Sequence, residues 1–108
     1  MNKHKIVFDE IEWTNAGVGV RYKAFVHGNQ RLRLVEFSEG FVEPDWCRRG
    51  HAGIVIEGNF ANDYSGRLER YGEGDVIFIP KGDADKHKAI LGADEKVTLL
   101  LFEVLEDS

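Results

Sequence analysis

Glycine sets the rhythm of this chain. Turn signals fall at Ala16-Gly17, Gly28-Asn29, Glu39-Gly40, Arg49-Gly50, Gly58-Asn59, Ser65-Gly66, Gly72-Glu73-Gly74, Gly82-Asp83 and Gly92-Ala93-Asp94. Most gaps between them are about ten residues, the spacing of short strands joined by tight turns. Residues 18–22 alternate apolar and polar, and Arg31-Leu32-Arg33-Leu34 does the same with both leucines on one face. Residues 54–56, 76–79 and 97–105 are β-branched or aromatic-rich runs, which predicts strands buried on both faces. No window sustains a 3.6-residue apolar stripe, although residues 9–15 can form a turn of helix. The fold class is therefore all-β. Nine or ten short strands leave unpaired edges unless the sheet closes or pairs with a second chain. A small closed barrel answers that problem, and alternate side chains then converge on a cavity at its mouth.

Size and charge narrow the rest. The 108 residues fit one domain spanning 1–108, with no linker, repeat or low-complexity stretch. A formal charge of −5 argues against a nucleic-acid-binding surface, which wants clustered Lys and Arg. The apolar runs are far shorter than the ~18 residues of a membrane helix, and the one at residues 6–8 is too short for a signal peptide. The single cysteine, Cys47, excludes an internal disulfide and points to a reducing, cytoplasmic setting. The edge-strand problem predicts a two-fold homodimer, with apolar strands near residues 6–8 and 97–105 contributing.

Chemistry-bearing side chains gather in two stretches, residues 40–58 and 74–89. On a strand, Asp45 and Cys47 share a face, and His51 opens an apolar strand after the Arg49-Gly50 turn. Asp85 and His87 share a parity past Pro80-Lys81-Gly82, where Gly82 is expected at positive φ. If a barrel mouth brings both stretches together, four or five ligands converge. Two imidazoles and a carboxylate suit iron(II); a thiolate from Cys47 moves the preference toward zinc or copper. Each residue also has a plain reading: His51 as a turn-closing hydrogen bonder, His87 as a solvated loop residue, Cys47 as a small buried hydrophobe. A nucleophilic Cys47 with His51 or His87 as base ranks lower, because four residues across a turn need not bring the groups together. Arg21, Arg31 and Arg33 read as a solvated face. One of them, Arg33 in particular, can instead enter the barrel and hold a carboxylate ligand by a bidentate pair.

The two stretches resemble the paired motifs of the cupin superfamily. Gly74, Pro80 and Gly82 match the second motif, glycine, five residues, proline, one residue, glycine. In the first motif, counting back six residues from Gly58 puts His51 at the family's glutamate, Cys47 at its second histidine and Asp45 at its first. Asp85 occupies the histidine position of the second motif, and His87 follows two residues on. Gly40 sits one residue closer than the pattern, and fifteen residues separate Gly58 from Gly74, near the family's shortest spacing. The Trp-Cys-x-x-Gly-His run at residues 46–51 is similar to a subgroup of small single-domain cupins. The resemblance implies a double-stranded β-helix, or jelly-roll, barrel. It also implies a divalent transition metal (zinc, iron, copper, nickel or manganese) on His51, His87, Cys47, Asp45 and Asp85, with a small organic ligand in the mouth. Oxygenase and isomerase activity both follow from it, and so does the alternative, a metal-free module that binds or senses a small molecule, because the fold hosts all of these.

Overall fold

The turn at Gly28-Asn29, with Gly28 at φ 61°, folds strand β2 (Val20–His27) back on β3 (Gln30–Ser38) in unbroken antiparallel register. A computed structural model describes residues 4–105, and among these the other strands are β1 (Thr14–Asn15), β4 (His51–Tyr64), β5 (Arg67–Gly72), β6 (Val76–Ile79), β7 (Lys88–Ile90) and β8 (Lys96–Val104). They pair antiparallel in the order β1-β2-β3-β8-β4-β5, and β6 and β7 also pair with β4. This all-β sheet curls on itself as a jelly-roll barrel. The helical turn expected within residues 9–15 forms slightly earlier, as a 3₁₀ turn at Phe8–Glu10.

Strand β4 makes the curl. Its first half pairs with β8 and β6, and its second half with β5 and β7. The change of sheet falls between Gly58 and Asn59, just after a bulge between Val55 and Glu57. Bulges add twist and bend the strand that carries them. Gly58 follows at φ 84°, where a Cβ would run into the carbonyl oxygen of Lys96 on β8. The Gly58-Asn59 turn signal is thus corrected: glycine serves a close backbone approach inside one long strand rather than a chain reversal.

The interior is built by alternation. Val97, Leu99 and Leu101 of β8 point inward against Val35, Val55, Phe60, Ile77 and Ile79. The expectation of two-sided burial for residues 76–79 and 97–105 does not hold, since Val76 and Phe78 are 71% and 78% exposed. A single curled antiparallel sheet has only one face toward the core. On β3 the same alternation sends Arg31 and Arg33 to the interior side with Val35, so they are not the solvated face their charge suggests.

Candidate metal centre

Two chain segments meet at the cavity through a pair of main-chain hydrogen bonds. The Cys47 N–H donates to the His87 carbonyl at 2.8 Å, and the His87 N–H donates to the Cys47 carbonyl at 3.0 Å. This isolated bridge fixes Cys47 beside His87, and the first residue of β4 brings in His51. Cys47 Sγ lies 3.5 Å from His51 Nε2, and the His51 and His87 rings meet edge to face with centroids 5.3 Å apart. The donor atoms of Cys47, His51 and His87 all lie within 4.8 Å of one another. Zinc bonds of about 2.3 Å to sulfur and 2.0–2.1 Å to nitrogen put tetrahedral ligand atoms roughly 3.3–3.6 Å apart. The Cys47–His51 separation already matches.

Both imidazoles are held from behind. His87 Nδ1 donates to the Asp85 main-chain carbonyl at 3.1 Å, which turns its Nε2 toward the cluster. His51 Nδ1 lies 2.7 Å from Glu103 Oε2. The oxygen sits off the N–H axis, so the contact is a close electrostatic one rather than an aligned hydrogen bond. Glu103 itself is fully enclosed and receives Arg33 Nε at 2.8 Å, Arg33 Nη2 at 2.6 Å and Arg31 Nε at 2.9 Å. A histidine backed by a carboxylate or carbonyl is the usual support of a metal-ligating imidazole.

The charges follow from these contacts. Burial pushes the Cys47 thiol up, but hydrogen bonds from His51 and His87 and the Arg49 backbone N–H overcome it and lower the thiol to about 5. Burial opposes charge on His51, yet Cys47 and Glu103 raise it above the ordinary histidine value. For Glu103, burial is again outweighed by His51 and Arg33, which hold the carboxyl far below the usual range. The contacts thus favour the thiolate of Cys47 and the charged form of His51, anchored on a buried carboxylate.

The cluster opens on a cavity of about 280 Å³ whose walls include Arg33, Phe37, Glu43, Arg49, Phe60 and Asn62. Arg33 reaches this cavity, but the fork meant for a carboxylate ligand is closed on Glu103. Asp45 is exposed on a bend, and its carboxylate lies outside the cluster. Asp85 stands in the 3₁₀ turn Asp83–Asp85 and offers His87 its carbonyl, not its carboxylate. Neither segment is a strand there, so the shared-face reading of Asp45 with Cys47 and of Asp85 with His87 does not apply. The four-residue Cys47-to-His51 spacing does bring thiol and imidazole together, because the loop between them turns back onto the head of β4.

Two carboxylates escaped the sequence reading. Glu103 was legible in principle: it continues the inward alternation of Val97, Leu99 and Leu101. Glu43 accepts the Ala89 N–H at 2.7 Å across the cavity wall, and burial raises its carboxyl above the usual range. Its partner is a main-chain group distant in sequence, which no spacing pattern announces.

No family profile matches the chain, and no curated protein matches it. Solved structures do. The polyketide cyclase RemF from Streptomyces resistomycificus is 20% identical, with 98% of this chain and 81% of that chain covered at a TM-score of 0.83. A sugar phosphate isomerase of the cupin superfamily from Silicibacter pomeroyi is 18% identical, covering 94% and 76% at 0.77. An RmlC-like cupin from Shewanella frigidimarina is 18% identical, covering 99% and 95% at 0.75. The fold is that of a small cupin domain. Among the described residues, no helix is long and apolar enough to cross a membrane.

Proposed function

We propose that this chain holds one divalent transition metal on Cys47, His51 and His87 and presents it to a small organic ligand in the adjoining cavity. The observation that carries this reading is the convergence of one thiolate and two buttressed imidazoles, within 4.8 Å of one another, on the cavity wall. Thiolate with imidazole favours zinc, copper or iron over manganese. A bound ion would supply Lewis acidity toward a ligand oxygen. The chain's own part is to hold His51 through Glu103 and to hold His87 through the Asp85 carbonyl. Iron(II) oxygen sites pair two histidines with a carboxylate, whereas here a thiolate stands in that place. The donor set therefore supports chemistry of the isomerase kind over the oxygenase kind, in keeping with an isomerase and a cyclase among the similar structures.

A second reading rests on the Cys47–His51 contact itself. A thiolate at 3.5 Å from an imidazolium satisfies its charge without an ion and is poised as a nucleophile. Elemental analysis of protein purified without added metal, paired with iodoacetamide alkylation of Cys47, separates the two. On the metal reading, each chain carries close to one ion and zinc protects Cys47 from alkylation. Metal-free protein that refuses ions from a zinc, iron, copper, nickel and manganese panel, and that alkylates rapidly throughout, establishes the second reading instead.

A further inference from the structure

Arg49 is the one arginine among the described residues with no carboxylate partner. Arg21 pairs with Glu36, Arg31 and Arg33 with Glu103, Arg48 with Asp83, Arg67 with Glu69 and Arg70 with Glu95. In a chain of net charge −5 a carboxylate is easily found, yet Arg49 stays unmatched, exposed at the wall of the cavity. Behind it the wall is apolar: Val20, Phe37, Phe41, Phe60, Leu99 and Leu101. Phe37 and Phe41 stack with centroids 4.7 Å apart and planes 28° from parallel, and both line the cavity. Three of the wall's polar side chains are partly engaged within the protein. Asn62 Nδ2 donates to the Tyr64 hydroxyl at 3.2 Å, Arg33 is bound to Glu103, and one Glu43 oxygen takes the Ala89 N–H.

We propose that the cavity takes a small apolar, preferably aromatic, carboxylic acid, with its ring against Phe37 and Phe41 and its carboxylate clasped by Arg49. This rests on the reading of the cavity as the ligand site beside the metal centre. Size sets the scale of the ligand. At about 280 Å³ the space lies just under the ~300–1,000 Å³ of drug-sized pockets. With water occupying about 30 Å³ per molecule in the liquid, it suits a ligand of roughly nine or ten non-hydrogen atoms. Chemistry sets the class. A polyol would turn several of its hydroxyls toward phenyl and leucyl walls, a loss that selects against it. An aryl acid leaves nothing unpaired: its ring meets apolar wall, and its carboxylate meets a planar guanidinium that can bind it in two places at once.

Isothermal titration of the zinc-loaded full chain at low salt tests this, with phenylacetate, its neutral counterpart 2-phenylethanol, and gluconate as probes. Phenylacetate should bind at least about tenfold tighter than 2-phenylethanol, and gluconate should give no heat. Arg49→Gln should abolish the preference for the acid while keeping its zinc, since the Arg49 contact to Cys47 is a main-chain one. Equal binding of acid and alcohol, gluconate binding as well as phenylacetate, an unaltered preference in Arg49→Gln, or no binding of any probe at millimolar concentration each overturns the inference. Zinc content measured on the same samples keeps the two proposals apart. A zinc-loaded chain with no acid preference counts against the ligand class alone. Acid preference that persists in a chain unable to hold zinc counts against the metal alone.

Discussion

Burial alone would keep Cys47 a neutral thiol, and its ionisation is the work of neighbours: two imidazoles and one main-chain N–H lower it to about 5. The proton that limits metal binding therefore sits on His51, which is raised above its usual 6.5 and must be neutral to coordinate. Zinc binding should release a proton from His51, and affinity should weaken as pH falls through the raised His51 range rather than only near 5. Titration in buffers of different ionisation enthalpy reads that proton directly; release of two would place a neutral thiol at Cys47. Behind His51, Glu103 compensates two arginines in a closed space, and Arg31 Nη2 is already buried without a partner. Glu103→Ala should cost about 3–5 kcal/mol in urea unfolding, because the guanidinium groups are left uncompensated. The pH dependence has a definite sign. The Glu103 carboxyl is held below its usual 4.5, so its stabilisation is complete above pH 4.5 and drains away as pH falls beneath it. Glu103→Gln should flatten that acid limb of the stability profile. The spacing of Cys47, His51 and His87 was legible in the sequence because it sits in motif frames. Glu103 was hidden because a lone glutamate ending an apolar strand looks like a solvated terminus.

Strand β4 shows what element-scale reading captures and what it misses. The positive φ expected at Gly82 is present, at 126°, because a Pro-x-Gly turn dictates it locally. The bend at Gly58 was read as a turn because glycine-asparagine has the same local chemistry in both settings; only the approach of β8 distinguishes them. Strand β6 coincided with the apolar run 76–79, yet its burial was misjudged, since a continuous apolar run carries no information on how many faces are covered. The two glycines make a matched test. At Gly82 a Cβ meets open space, so Gly82→Ala should carry only the conformational strain of about 1–3 kcal/mol. Gly58→Ala adds a collision with backbone to similar strain and should lower the melting temperature distinctly further. Equal melting of the two variants by circular dichroism would mean that the β4–β8 approach at the bulge is not tight.

For the molecule as a whole, alternation has a second consequence: residues that leave the interior line up on the outside. Ile54, Val76, Phe78 and Phe102 are all at least 38% exposed, and the registers Ala52↔Phe102, Ala52↔Phe78, Ile54↔Leu100 and Ile54↔Val76 place them side by side across β8, β4 and β6. Apolar side chains gathered on one face of a sheet mark an association surface, and we propose the two-fold homodimer there. The contribution expected from residues 6–8 is not a strand, since that segment enters the 3₁₀ turn Phe8–Glu10. Phe78→Asp with Phe102→Asp should give a monomer by light scattering with its metal content intact; an unchanged dimer would move the interface elsewhere. Native mass spectrometry of protein purified without added metal reads the central claim most directly. We expect one transition-metal ion per chain in the wild type, and none in His51→Ala or His87→Ala variants that keep the same β-rich circular dichroism. A wild-type mass equal to that of the bare chain, or full metal retained by both histidine variants, would contradict a metal centre at Cys47, His51 and His87.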